Sequence, residues 1–217
     1  MQPLFQAQLD ASIAVLGALG GDAGCPQAVR AVDRVLIACA DHELNASTFA
    51  ARVAASTGAD LYACVGAGLG ALSGPRHGGE CDRLEALLAE IQSPAQAARV
   101  VHERHRRGEV IPGFGHRLYK AHAQGGGDPR AQPLLLQAQA LASAERPAAE
   151  RLAVLTALCE AMAAHGLPAM LDAGLVAVCS ALGLPPGSGA ALFAVGRSAG
   201  WVAHILEQRQ DGELLRP

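Results

Sequence analysis

Pro147-Ala-Ala-Glu-Arg-Leu-Ala-Val-Leu-Thr-Ala-Leu-Cys-Glu-Ala-Met-Ala-Ala-His165 is the stretch that decides the fold class. Its apolar side chains return every three to four residues, the period of a helix with one buried face. Its proline stands at the front, where a first helical turn has no N–H bond to lose. Moving toward the C-terminus, Gly166-Leu-Pro168 breaks the pattern and Leu171 to Leu182 is apolar on most sides. The loop Gly183-Leu-Pro-Pro-Gly-Ser-Gly189 then precedes a last helix, Ala190 to Gln208, interrupted by Gly196 and Gly200. Moving toward the N-terminus, helical periodicity marks 134–141, 95–107 (with a basic end), 82–91, 26–40 and 5–17. Asn45, Ser47 and Thr48 are N-cap types, so a further helix is expected to start there and run to Thr57. Leu61 to Leu72 is nearly uncharged and reads as a fully buried helix whose glycines let a neighbour approach closely. No segment alternates with period two. The expectation is an all-α protein of about ten helices.

Composition narrows the function. Hydrophobic residues make up 51% of the 217, charged residues 17% and aromatics 3%, with a net charge of −3. Such a balance offers no global attraction to nucleic acid or an anionic membrane, so any anion must be held by local arginines. The six cysteines (25, 39, 64, 81, 159, 179) form no C-x-x-C pair and read as reduced, mostly buried small hydrophobes. No metal site is expected from their spacing. The N-terminus lacks a basic n-region and an apolar h-region, and the longest apolar run is short and glycine-rich for a membrane span, so a cytoplasmic location is expected.

Three histidines fall in glycine- or cap-rich junctions: His42, His77 and His116. The third ends Val110-Ile-Pro-Gly-Phe-Gly-His116, with Arg117 and Lys120 behind it. Glycines allow a tight bend and close approach to a ligand. An imidazole beside two cations suits an anionic substrate that needs a proton or hydrogen bond, while the same residues would also serve as a solvated surface turn. His102, His105, His122, His165 and His204 lie on polar faces, at a helix end or within the last helix, where solvation or a core hydrogen bond is the ordinary outcome. Arg197 interrupts an apolar helix, and a buried guanidinium needs a partner, so a carboxylate from protein or ligand is expected there. Arg130 and Arg216 are individually ordinary. Asp172 heads an apolar helix, either as an acid stabilised by the helix dipole or as a general base with a tuned pKa.

Taken in order, Asp41-His-Glu-Leu-Asn-Ala-Ser-Thr48, Gly74-Pro-Arg-His-Gly-Gly79, Val110 to Lys120, Asp128-Pro-Arg130, Phe193 to Gln208 and Leu215-Arg-Pro217 resemble the successive blocks of the citrate synthase family. That resemblance implies an all-helical, two-lobed homodimer lacking the N-terminal part of the large domain. Residues 1–74 and 187–217 would form the large-domain part and 75–186 the small domain, which would close over the substrates and exclude water. It implies an acyltransferase that condenses acetyl-CoA with oxaloacetate to citrate and CoA, a reaction of the tricarboxylic acid cycle, with the CoA thioester as substrate and no separate cofactor. Asp172 would take the methyl proton and His77 would hydrogen-bond the enolate oxygen. His116 would polarise the ketone of oxaloacetate. His42, Arg130 and Arg197 would grip its carboxylates, with Arg216 reaching in from the partner subunit. Pro112, Gly113, Phe114, Gly115 and Lys120 would hold CoA. Cleavage of citryl-CoA by a lyase-like enzyme, or binding of a dicarboxylate or acyl-CoA without turnover, would use the same residues. Three places depart from the family pattern: Glu80-Cys81 stands where Ala-Asn is common, Pro168-Ala-Met-Leu-Asp172 where Pro-Asn-x-Asp is usual, and the segment between Lys120 and Asp128 is longer than usual.

Overall fold

The computed structural model describes residues 2–115, 119, 127–142 and 146–216, with the side chains of 2–5 and 146–148 left aside. Among these residues the chain forms ten helices and no strand: α1 (Gln2–Ala18), α2 (Pro26–Ala40), α3 (Ala46–Ser56), α4 (Leu61–Leu72), α5 (Glu80–Glu90), α6 (Ala97–Arg106), α7 (Ala131–Leu141), α8 (Arg146–Ala164), α9 (Leu171–Ala181) and α10 (Ser188–Asp211). The all-α expectation holds. Two compact units divide them. One comprises Met1–Arg34 and Glu80–Gly189, the other Val35–Gly79 and Ala190–Pro217.

In the first unit α9 is the central rod. Leu171 and every residue from Ala173 to Ala181 are buried, as expected for a helix that is apolar all round. α5, α7 and α8 pack on it. Gly174 lets α7 come close, since a Cβ there would stand 2.9 Å from Leu134 Cβ. Leu152, Leu155, Leu158 and Met162 form the buried stripe of α8, so the stretch that decided the fold does present one apolar face inward.

In the second unit α3 packs on α4, and Ala51, Ala55, Cys64, Leu72, Trp201 and Ile205 form a core cluster. Asn45 caps α3 by accepting from the Thr48 N–H at 3.0 Å, and Asp60 caps α4 through the N–H groups of Tyr62 and Ala63. α4 corrects one expectation. Only Cys64, Gly68 and Leu72 are buried; Tyr62 is 88% exposed, Leu69 is half exposed, and Gly66 and Gly70 face open space. One small position, Gly68, meets the Trp201 ring, and the opposite apolar face is left uncovered.

α10 is continuous rather than interrupted. Its glycines are contact points: a Cβ at Gly196 would lie 2.8 Å from the Leu36 carbonyl, and one at Gly200 would overlap the Ala40 carbonyl. Both therefore serve close passage of α2's last turn. By length and composition α10 could cross a bilayer. It also carries the fully buried Arg197 and Trp201. A charge mid-helix costs about 2.5–3.5 kcal/mol or more in lipid, so the core role is favoured.

Candidate functional site

The glycine turn of the first unit is built from elements far apart in sequence. Gly113 and Gly115 both take positive φ, 83° and 73°, a region that side chains disfavour. A Cβ on either would also stand within 3 Å of a leucine, 2.9 Å from Leu84 Cδ2 and 2.8 Å from Leu167 Cδ2. The Gly115 N–H donates to the Pro168 carbonyl (3.1 Å) and the Met170 N–H to the Gly113 carbonyl (2.9 Å), so Phe114 and Ala169 pair in antiparallel fashion. The turn is thus laced to the three residues that lead into α9 and Asp172.

Asp172 sits in the first turn of α9, so the dipole reading and the base reading describe one position. Its Oδ1 accepts a hydrogen bond from the Cys81 thiol at 3.4 Å. Burial pushes its carboxyl above the usual range and the Glu80 charge adds to this; the Cys81 thiol and the more distant Arg130 oppose it. A carboxylate in that condition is a stronger base than an exposed one.

Arg130 precedes α7 and is held along one edge. Nε and Nη2 donate to the two oxygens of Asp128 at 2.9 and 2.7 Å, and Nη2 also reaches the Tyr119 hydroxyl at 3.1 Å. Asp128 is 4% exposed and also accepts the Leu171 N–H at 3.2 Å. Burial raises its pKa, but hydrogen bonds and the Arg130 charge win, leaving it below the usual carboxylate value. Asp128 therefore ties the arginine to the start of α9.

Beside the glycine turn lies a cleft of about 200 Å³, walled by Val101, Val110, Ile111, Phe114, Met162 and Leu167. His105 and His165 stand at it with ring centroids 5.1 Å apart. His116 and Lys120 lie outside the described residues. Pro112, Gly113 and Phe114 are buried in the turn itself and Gly115 is half-buried.

The second unit holds His77, His42, Arg197 and Arg216. The Ser47 backbone N–H, one of the orphan donors at the start of α3, points at His77 Nε2 from 3.3 Å. A backbone N–H can only donate, so Nε2 accepts and the neutral ring carries its proton on Nδ1. The Ser47 hydroxyl lies 2.8 Å from the same nitrogen and is held in turn by the Trp201 N–H at 3.2 Å. Burial lowers the His77 pKa, and the Arg197 charge lowers it further. His77 is thus a neutral imidazole with a donor to offer at pH 7.

Arg197 is fully buried. The expected carboxylate is not its nearest partner: Nε donates to the Cys39 carbonyl at 2.7 Å, and the guanidinium carbon lies 5.3 Å from the centre of the Phe193 ring. A helix-end carbonyl gives Nε an acceptor without adding a buried charge. Asp41 is an exposed carboxylate influenced by it, and hydrogen bonds from the His42 backbone and His204, with the charges of His204 and Arg197, hold its pKa down against desolvation. His42 is half-buried after Asp41, and Arg216 is exposed in the tail. His204 contacts Arg52 and Asp41.

Several partners were not legible in the sequence. Ser47 had only its cap character to mark it, and Asp128 only its place in Asp-Pro-Arg. Cys81 was marked only by its departure from the family pattern, and nothing singled out Trp201 within its block. Of the cysteines, Cys39, Cys64, Cys81 and Cys179 are buried, none of the six is in a disulfide among the described residues, and burial pushes the Cys159 thiol up to about 12.

Comparison with known proteins agrees with this picture. The family model described as the citrate synthase C-terminal domain matches residues 2–217. Citrate synthase 2 of Bacillus subtilis is 37% identical over 199 residues, which is 92% of this chain and 52% of that protein. A 2-methylcitrate synthase 2 of Corynebacterium glutamicum is 36% identical, over 88% of this chain and 49% of its own. The chain spans about half the length of these curated relatives. The ternary complex of carboxymethyl coenzyme A and oxaloacetate with the Thermoplasma acidophilum citrate synthase superposes with a TM-score of 0.78 at 33% identity, covering 89% of this chain and 51% of that one. A citryl-CoA lyase from Hydrogenobacter thermophilus superposes with a TM-score of 0.74 at 26% identity, covering 91% of this chain and 75% of its own. The chain belongs to the citrate synthase family.

Proposed function

We propose that the chain acts on CoA thioesters and 2-oxo dicarboxylates, condensing acetyl-CoA with oxaloacetate to give citrate and free CoA. The observation that carries this reading is Asp172: a carboxylate made more basic by burial, at the head of α9, with its approach laced to the glycine turn. Asp172 removes a methyl proton from the thioester. Enolisation moves negative charge onto the thioester oxygen, and the Nδ1–H of neutral His77 stabilises it there. A neutral donor suits this task, because its pKa lies nearer that of the enol than an imidazolium's does. The enolate carbon then attacks the ketone carbon of oxaloacetate, where His116 polarises the carbonyl and protonates the alkoxide. Hydrolysis of the resulting thioester releases CoA.

Arg130, Arg197, His42 and Arg216 take the carboxylates, the planar forks of the arginines matching paired oxygens. The asymmetric clamp of Asp128 on Arg130 supports a fixed presentation. Pro112 to Gly115 and Lys120 take CoA, and the apolar cleft with its two imidazoles suits the planar end of that molecule. No metal or separate cofactor enters this scheme. The chain works in the cytoplasm as a homodimer in which Arg216 serves the partner's site; the uncovered face of α4, with Tyr62, Gly66, Leu69 and Gly70, suits a self-association surface.

A second reading has its own support: the chain spans three quarters of the citryl-CoA lyase but half of the synthases. Thiol release separates the two. Free CoA formed from acetyl-CoA and oxaloacetate supports condensation. Cleavage of citryl-CoA to acetyl-CoA and oxaloacetate, with no thiol released from that pair, would replace it with the lyase. Propionyl-CoA in place of acetyl-CoA tests the 2-methylcitrate variant of the same chemistry.

A further inference from the structure

Glu80 and Cys81 are the two residues of the His-Gly-Gly region that depart from the family pattern, and both act on Asp172, Cys81 by contact and Glu80 through its charge. They open α5. Cys81 is 1% exposed, and its Sγ lies 3.4 Å from Asp172 Oδ1. An ionised carboxylate only accepts, so the thiol donates. The thiol is confined from the far side as well, since a Cβ at Gly189 would stand 3.3 Å from both Cys81 Cβ and Sγ.

Glu80 works on the backbone instead. One carboxylate oxygen pairs with Arg83, and the other accepts the Gly113 N–H at 3.1 Å. The Gly113 carbonyl in turn accepts the Met170 N–H at 2.9 Å, two residues before Asp172. A single path of hydrogen bonds therefore runs from α5 through the glycine turn to the head of α9.

We propose that Cys81 and Glu80 are positioning residues for Asp172: the thiol orients the carboxylate as its hydrogen-bond donor, and Glu80 fixes the Gly113 turn against the backbone leading into α9. This rests on the reading of Asp172 as the general base. The choice of sulfur has a chemical logic. A thiol is a weak donor, so it orients the carboxylate while stabilising the ionised form little, and basicity is retained. A hydroxyl or amide in its place would hold the carboxylate more firmly and blunt it. The groups acting on Asp172 are the Cys81 thiol and the Arg130 guanidinium, which favour ionisation, and the Glu80 charge and the surrounding apolar wall, which oppose it.

The test reads Asp172 directly, without turnover. Its carboxyl carbon is followed by 13C NMR in the full chain as pH is varied, and its signal is identified by its loss in Asp172→Asn. Cys81→Ala should raise the titration midpoint by roughly half a unit or more, Cys81→Ser should return it to or below the native value, and Glu80→Gln should lower it, since each change removes or restores one opposing interaction. Shifts of the same sign in Cys81→Ala and Cys81→Ser, or a midpoint that moves in none of the variants, would overturn the inference. If Cys81→Ala does not fold, Cys81→Ser and Glu80→Gln decide it: Cys81→Ser must leave the midpoint at or below the native value and Glu80→Gln must lower it. Citrate formation that persists undiminished in Asp172→Asn, with these shifts intact, would instead count against the assignment of Asp172 as base.

Discussion

Replacing Gly113 by alanine should cost stability in two separable parts. Gly113 holds φ at 83°, and forcing an L-residue into that region costs about 1–2 kcal/mol. The added Cβ would also stand 2.9 Å from Leu84 Cδ2, and overpacking of a filled core costs about 1–3 kcal/mol. Together Gly113→Ala should destabilise the chain by about 2–5 kcal/mol. Gly58→Ala is the control: φ there is 81°, but nothing lies within 4 Å of its Cβ, so only the backbone part, about 1–2 kcal/mol, should be lost. Urea denaturation of the two variants beside the native chain reads both losses from midpoints at constant slope. Equal losses would refute the claim that Leu84 closes the turn from outside, and a neutral Gly113→Ala would refute the turn geometry altogether.

Gly200→Ala pits propensity against packing. Alanine in a helix interior gains about 1 kcal/mol, but a Cβ here would overlap the Ala40 carbonyl, so denaturation should show net loss. For His77, a folded-state pKa below its ordinary value means the native state binds fewer protons than the unfolded chain. Its contribution to stability is therefore complete above about pH 6.5 and is lost as pH falls toward the depressed value. His77→Gln should flatten that part of the stability–pH curve. Asp128 is also held low, so its contribution is present above its unfolded pKa, about 3.9, and is lost as pH falls through the folded value. Asp128→Asn should remove that acid limb and lower stability at pH 7 by about 2 kcal/mol or more, because the Arg130 pair and the Leu171 N–H both lose their charged acceptor.

Local signals made the helices legible. The Asn45 cap, the apolar rhythm of 147–165 and the breaks at Gly166-Leu-Pro168 each act over a few residues, and each reappears as a helix or its end. What failed needed a partner from elsewhere. The apolar run 61–72 was expected to be buried throughout, yet apolarity does not say how many faces a neighbour covers. Gly196 and Gly200 read as interruptions because a glycine in sequence looks the same whether it breaks a helix or admits another backbone. Arg197 was expected to meet a carboxylate from the protein or from a ligand; the carbonyl at the end of α2 that takes its Nε is a further partner, which no pattern around residue 197 reveals. The site followed the same rule. His77 and Asp172 stood out by residue type and setting, whereas Ser47, 30 residues from His77, and Cys81, 91 residues from Asp172, became visible only once the helices were packed.

The central claim is that Asp172 removes a proton from the methyl group of acetyl-CoA. Incorporation of solvent deuterium into that methyl, followed by mass spectrometry with the dicarboxylate present, measures this step before any carbon–carbon bond forms. The account predicts exchange by the native chain that falls by roughly 10²–10⁴-fold in Asp172→Asn, the range over which a positioned general base acts. Exchange that persists undiminished in Asp172→Asn would contradict it.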